Sequence, residues 1–117
     1  MCELDVYMKR LDSSAKVASE VVYAGVDRGT LVLKDIVGSA KKFEGIIISE
    51  VDINRERMEL RESPILGPVL EFISAYDDCL SKGKYQTDLQ DRWEELKACG
   101  DEMVRDLWTK FEKGKAG

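Results

Sequence analysis

The 117-residue chain contains no histidine. Without an imidazole group, the sequence excludes Ser–His and Cys–His catalytic pairs, the usual general acid–base near neutral pH and the commonest metal ligand. No nucleophile–base pair of a common type can be assembled, so we expect that the protein is not an enzyme. Any metal site must use sulfur, carboxylate or backbone donors.

Long apolar runs and the pattern of a signal peptide are also lacking in this sequence. No stretch approaches the roughly 20 apolar residues that span a bilayer, and the N-terminus has no charged-then-apolar signal pattern. The composition, 44% apolar and 35% charged with two prolines, is that of a folded chain. We therefore expect a cytoplasmic protein with no membrane partner.

An excess of positive charge is missing as well. Lys and Arg total 18 against 23 Asp and Glu, which gives a net charge of −5, and neither half of the chain is basic. A nucleic-acid backbone would meet no general attraction, so the charge disfavours RNA as a partner. Local basic residues occur at Lys41–Lys42 and over 55–61, and Tyr7 and Tyr23 are the aromatic residues best suited to stack on bases.

Residues 3–61 show the pattern of short strands separated by turns. Leu4, Val6 and Met8 alternate with polar neighbours, which is typical of a half-buried strand and places Cys2 on its inward side. We predict a turn over 11–16 and further strands over 20–26, 30–34, 40–44, 46–53 and 57–61. Five or six short strands in about sixty residues favour a small β-barrel of SH3-like type.

The periodicity changes to helical beyond residue 62. Val69, Ile73, Tyr76 and Leu80 form one apolar stripe, with Gly83 as the stop, and Thr87–Gln90 has the sequence of a capping box that starts a second helix. The sequence therefore predicts an α+β protein in two domains. A small barrel over residues 1–62 is followed by a helical hairpin over residues 63–117.

Three cysteines, Cys2, Cys79 and Cys99, are spread along the chain without CxxC spacing. Their odd number in a protein expected in the cytoplasm indicates free thiols, not a disulfide framework. Cys79 and Cys99 lie next to the apolar helical stripes, where we expect them to fill helix packing. A second soft-metal site would require these two thiols to converge.

Cys2 fits two interpretations. An inward-facing cysteine can simply fill the end of the barrel, because free cysteine is among the most buried residue types. Its position beside the α-amine and a backbone amide also makes a thiolate–nitrogen ligand pair, which favours square-planar Ni(II) or Cu(II) over tetrahedral zinc. One chain offers one such pair, so two chains meeting at their N-termini would complete four ligands.

The opening Met1-Cys2-x-x-x-Val6-Tyr7 resembles the start of the CooT family of small nickel-binding proteins, whose members also carry the label "predicted RNA-binding protein". The likeness runs in order through residues 1–62. Its later parts are 20–22, 31–38, 50–53 and 58–60.

The resemblance implies a small barrel, a homodimer, and Ni(II) bound by Cys2 of both chains. It further implies a metallochaperone or nickel-trafficking role for a client such as carbon monoxide dehydrogenase. Cys2 is the only site residue carried over from the family. The alternatives are an RNA-binding barrel and an interaction module whose helices recruit a partner.

Overall fold

The structure, a computed structural model, describes residues 3–112 of the chain, and in this part six strands precede two helices. This order confirms the predicted α+β class. The strands and helices are β1 (Leu4–Arg10), β2 (Ser13–Asp27), β3 (Thr30–Asp35), β4 (Ala40–Glu44), β5 (Ile46–Asp52), β6 (Arg57–Glu62), α1 (Leu66–Lys82) and α2 (Thr87–Phe111).

The six strands form one mixed sheet in the order β4-β3-β2-β1-β6-β5. β1 lies at its centre, antiparallel to β2 and parallel to β6. The edge strands β4 and β5 are joined by Gly45 alone, at a positive φ of 68°, so the two edges of the sheet meet at one corner. Within residues 3–112 no backbone pairing closes β4 onto β5, so the predicted SH3-like barrel is not confirmed and the sheet is open.

β2 is long enough to take part in two pairings. Its first part pairs with β1, from Ser13 opposite Arg10 to Val21 opposite Leu4. Its second part pairs with β3, and the change of partner falls near Glu20, where φ is 56°. The predicted turn over 11–16 was wrong beyond Asp12, because pairing with the end of β1 holds the polar residues that follow in a strand despite their low β-propensity.

One face of the curled sheet holds the hydrophobic core. The side chains of Val6, Leu31, Leu33 and Leu60 are almost completely buried there. The full cluster of buried residues is Val6, Met8, Ala18, Val21, Leu31, Leu33, Ile46, Met58 and Leu60. Each strand except β4 contributes to this cluster, so the core links strands that are far apart in sequence.

The chain divides into two compact units, Met1–Gly67 and Pro68–Gly117. The division into two domains after residue 62 stays a prediction. Neither of the two helices within residues 3–112 is both long and apolar enough to cross a membrane.

A four-residue loop, 83–86, joins α1 to α2 as an αα-hairpin. Gly83 has a φ of 65° directly after Lys82, which confirms the predicted stop. The predicted capping box at Thr87–Gln90 was wrong, since the N-cap is Gln86 and makes no side-chain cap hydrogen bond. The Gln90 side chain instead accepts a hydrogen bond from the Tyr85 hydroxyl at 3.2 Å.

The two helices contact each other through an aromatic pair and a charged cluster. The ring centroids of Phe72 and Trp93 lie 5.6 Å apart. Arg92 on α2 forms ion pairs with Asp88 and Glu95 on its own helix and with Glu71 on α1. These carboxylates, Asp88 first, raise the pKa of Arg92, so the guanidinium stays charged. The Phe72–Trp93 contact and the Arg92–Glu71 ion pair together set how α1 and α2 are aligned along their length.

Leu60 and Leu11 form a matched pair for testing the core. Leu60 on β6 is 0% exposed, whereas Leu11 in the turn after β1 is 97% exposed. We expect Leu60→Ala to lower the free energy of unfolding by about 2–5 kcal/mol, because it removes buried methyl groups and leaves a cavity. Leu11→Ala should change it by less than about 0.5 kcal/mol. Urea denaturation followed by circular dichroism measures both, and equal losses would contradict this assignment of the core.

Candidate metal centre

The predicted metal ligand Cys2 lies outside the described residues and directly precedes Glu3 in the chain. The described part of the candidate site is therefore the start of β1, from Glu3 to Asp5, together with the residues around it. We call this region the β1 start.

Backbone pairing holds the β1 start on both sides. Leu4 lies opposite Val21 of β2, and Asp5 lies opposite Arg57 of β6. The amide of Asp5 also donates a hydrogen bond to the carbonyl of Glu56 in the β5–β6 turn, at 3.0 Å. A residue attached to this strand is thus attached to the centre of a sheet and not to a free edge.

The side chains at the β1 start alternate as the sequence predicts. Val6 and Met8 are buried, and Leu4 packs against the core. On the outward side, the Lys16 ammonium lies 3.3 Å from the Asp5 carboxylate. The Arg57 guanidinium lies 4.1 Å from the centroid of the Tyr7 ring, in cation–π geometry.

Two non-glycine residues beside the β1 start have left-handed backbones. Glu20 has a φ of 56° and Glu56 a φ of 52°. The Glu20 carbonyl accepts a hydrogen bond from the Ile36 amide, as the Glu56 carbonyl does from Asp5. Such conformations cost on the order of 1 kcal/mol for a residue with a Cβ, and they often occur at functional sites. The predicted strands over 46–53 and 57–61 leave 54–56 as their connection, but the sequence gave no sign that Glu56 is its left-handed residue.

Exposed apolar side chains surround the same end of the sheet. Val22 comes directly after Val21, the residue opposite Leu4. The Ile36 amide donates a hydrogen bond to the Glu20 carbonyl in β2, and Ile53 begins the turn whose Glu56 carbonyl accepts the hydrogen bond from Asp5. All three are about half exposed. Val37 and Val51, next to Ile36 and Ile53, are exposed as well. Apolar residues grouped in this way are typical of an interaction surface.

The described residues offer no other metal site of a usual kind. No group of three or more Cys, Asp and Glu side chains within residues 3–112 is arranged to hold a metal ion. On α2, the adjacent acidic residues Asp101 and Glu102 are both exposed.

Cys79 and Cys99 do not converge. Both thiols are half-buried on the hairpin, Cys79 on α1 and Cys99 on α2. The helices are antiparallel, and Phe72 contacts Trp93, so Cys79, which follows Phe72 on α1, lies beside Gln86, which precedes Trp93 on α2. Cys99 lies about 13 residues, or roughly 20 Å, further along α2. A shared soft-metal site between them is therefore ruled out.

The aromatic and basic residues considered for RNA binding are scattered over the sheet. Tyr7 is covered on one side by Arg57, and the Lys34 ammonium lies 4.8 Å from the centroid of the half-exposed Tyr23 ring. Lys41 donates a hydrogen bond to the Val17 carbonyl at 2.8 Å. The two ring contacts lie within the neighbouring strand pairs β1–β6 and β2–β3, whereas the Lys41 hydrogen bond runs from β4 to β2.

The left-handed residue that anchors the β1 start provides a test. At position 56, the variant Glu56→Gly should be more stable than Glu56→Ala by about 1 kcal/mol, because only glycine adopts a φ of 52° without strain on its Cβ. The comparison of two small residues removes the effect of the carboxylate. Urea denaturation of the two variants measures the difference, and equal midpoints would contradict the assigned backbone.

Comparisons with known proteins agree on the sheet-forming part of the chain. The sequence model of the family "CO dehydrogenase accessory protein CooT" matches residues 1–61. A crystal structure described as CooT from Carboxydothermus hydrogenoformans is similar in fold, with a TM-score of 0.50 and 19% identity, over 53% of this chain and 98% of that chain. No curated protein matches the sequence. Since the family model covers more than half of the residues, from Met1 through Cys2 to β6, the chain belongs to the CooT family.

Proposed function

We propose that this protein is a nickel-binding accessory factor, a metallochaperone that serves a nickel enzyme such as CO dehydrogenase. The observation that carries the proposal is the family match over residues 1–61, which includes Cys2 and describes an accessory protein of that enzyme. An accessory role also agrees with a chain that has no histidine to serve as a catalytic base.

The donor set at Cys2 suits nickel. The ligands in this proposal are the Cys2 thiolate and an adjacent backbone nitrogen, from each of two chains. Two sulfur and two nitrogen donors of this kind favour square-planar Ni(II) over tetrahedral zinc. The β1 start supports such a site, because hydrogen bonds to β2 and β6 restrain the strand to which Cys2 is attached.

A homodimer is part of the proposal because one chain supplies only half of the ligands. The exposed apolar residues around the β1 start, with Val22, Ile36 and Ile53 among them, support an isologous contact at this end of the sheet. A two-fold axis through that contact would relate the two copies of Cys2. The metal would then be bound where the two chains meet.

A nickel titration of untagged protein tests the site. We expect thiolate-to-metal absorption bands that saturate at about half an ion per chain, since two chains share one site. Cys2→Ser should abolish these bands and weaken nickel binding at least tenfold. The matched control is the double variant Cys79→Ser/Cys99→Ser, which removes the other two thiols and should bind nickel as the unmodified protein does.

The pH dependence of binding gives a second readout of the same ligands. Thiolate and nitrogen donors must lose their protons to bind the metal, so nickel affinity should fall as the pH is lowered. A Cys2→Ser variant that retained full affinity, or a double variant that lost it, would refute Cys2 as the ligand.

A further inference from the structure

The helical hairpin buries few of its own side chains. Among the described residues of the two helices, Ala75 on α1 is the only buried one, and α2 has none. Helices of this length gain most of their stability from packing an apolar face, not from intrinsic propensity. A pair of helices with so little buried surface therefore requires further cover.

The uncovered apolar residues of α2 lie on one face. Trp93, Val104, Leu107, Trp108 and Phe111 are between 44% and 72% exposed. At about 100° per residue, the last four of these residues lie on the same side of the helix as Trp93 and continue its apolar stripe towards the C-terminus. The residues of α2 that are half-buried, Leu96 and Met103 among others, lie on the adjacent face.

The lengths of the two helices explain this exposure. Because Phe72 contacts Trp93 in the antiparallel hairpin, Leu66, the first residue of α1, lies beside residue 99 of α2. The last 12 or so residues of α2, roughly 18 Å of helix, extend past the start of α1. Four of the five exposed apolar residues of α2 lie in this extension, where α1 has no residues to cover them.

Ile73, Tyr76 and Leu80 on α1 belong to the same face of the hairpin. The sequence predicted them as the apolar stripe of α1, and each is about half exposed or more. Around the axis of α1, they lie roughly 120° from the α1 residues that contact α2. Around the axis of α2, the exposed apolar residues lie about 60° from the α2 residues that contact α1, and both rotations have the same sense when each helix is viewed from its own N-terminus. In an antiparallel pair, rotation in the same sense points both stripes to the same side. We call this two-helix surface the hairpin apolar face.

The hairpin apolar face is large enough for a stable interface. A large apolar side chain that is half exposed leaves about 100 Å² uncovered, so eight of them leave about 800 Å². A standard interface buries about 800 Å² on each partner, whereas the largest apolar patch on a typical monomer is about 300–600 Å². The aromatic content of the face, with two Trp, is also typical of interfaces.

The charges beside the face bear on the kind of partner it fits. Along the outer rim of α2, away from α1, Glu94, Lys97, Asp101 and Arg105 alternate in sign. A rim made for a strongly basic or acidic partner would carry one sign, whereas an alternating rim can meet an antiparallel copy of itself with opposite charges opposed. We propose that the hairpin apolar face is a self-association surface, occupied by the same hairpin of a second copy. This surface is separate from the contact proposed at the β1 start.

A charge placed on the face tests the proposal in the full chain. Sedimentation equilibrium of metal-free Cys2→Ser protein removes the contribution of bound nickel to self-association, and the apolar contact proposed at the β1 start is common to both variants compared here. Adding Leu107→Glu should raise the dissociation constant of self-association at least tenfold. The matched control is Thr109→Glu, which puts the same charge on the opposite, exposed face of α2 and should leave the constant unchanged. Equal constants for the two variants would overturn the proposal.

Both tryptophans of the chain lie on the face, so their fluorescence reports its cover directly. We expect the emission of the unmodified protein to shift to the red, and acrylamide quenching to increase, as dilution separates the copies. Circular dichroism checks that Leu107→Glu keeps its helices. Emission of exposed indole at all concentrations, or protected emission that persists in a monomer, would overturn the proposal. Nickel binding is measured separately, so its loss would leave this result intact.

Discussion

The pairing of β1 on both of its edges is the constraint on which the rest of the sheet depends. Because β1 takes β2 on one side and β6 on the other, the first strand in sequence becomes the central strand in space. The chain must then bring β6 back beside β1 after four further strands, and the single Gly45 corner between the edge strands β4 and β5 makes that return short. The candidate ligand Cys2 is thereby joined in the chain to a strand that is paired on both of its edges.

Much of this sheet could be predicted from the sequence, because local alternation sets which side chains face inward. The inward positions of Val6 and Met8, and the strands that follow, came from that signal. Closure could not be predicted, since it depends on whether β4 and β5 pair across the sheet. The length of β2 was also hidden, because pairing with β1, and not propensity, holds Ser13 in a strand.

The helical half shows a different limit of sequence reasoning. The periodicity of Ile73, Tyr76 and Leu80 located α1 correctly, but an apolar stripe indicates what a helix can cover and not which neighbour covers it. In the hairpin, Phe72 and the Arg92 ion pairs make the contact between helices instead. The Thr87–Gln90 capping box failed for a local reason, because the Tyr85 hydroxyl engages the Gln90 side chain.

The two proposed self-association surfaces place a condition on symmetry. If both contacts share one two-fold axis, the assembly closes as a dimer, and each contact raises the effective concentration for the other. Nickel binding and hairpin association would then be coupled, each strengthening the other by the same factor. If the axes differ, the same two contacts would build an open chain of molecules. Under both proposals together, a single closed dimer would let the hairpins hold two chains together while nickel binds to and leaves a shared site.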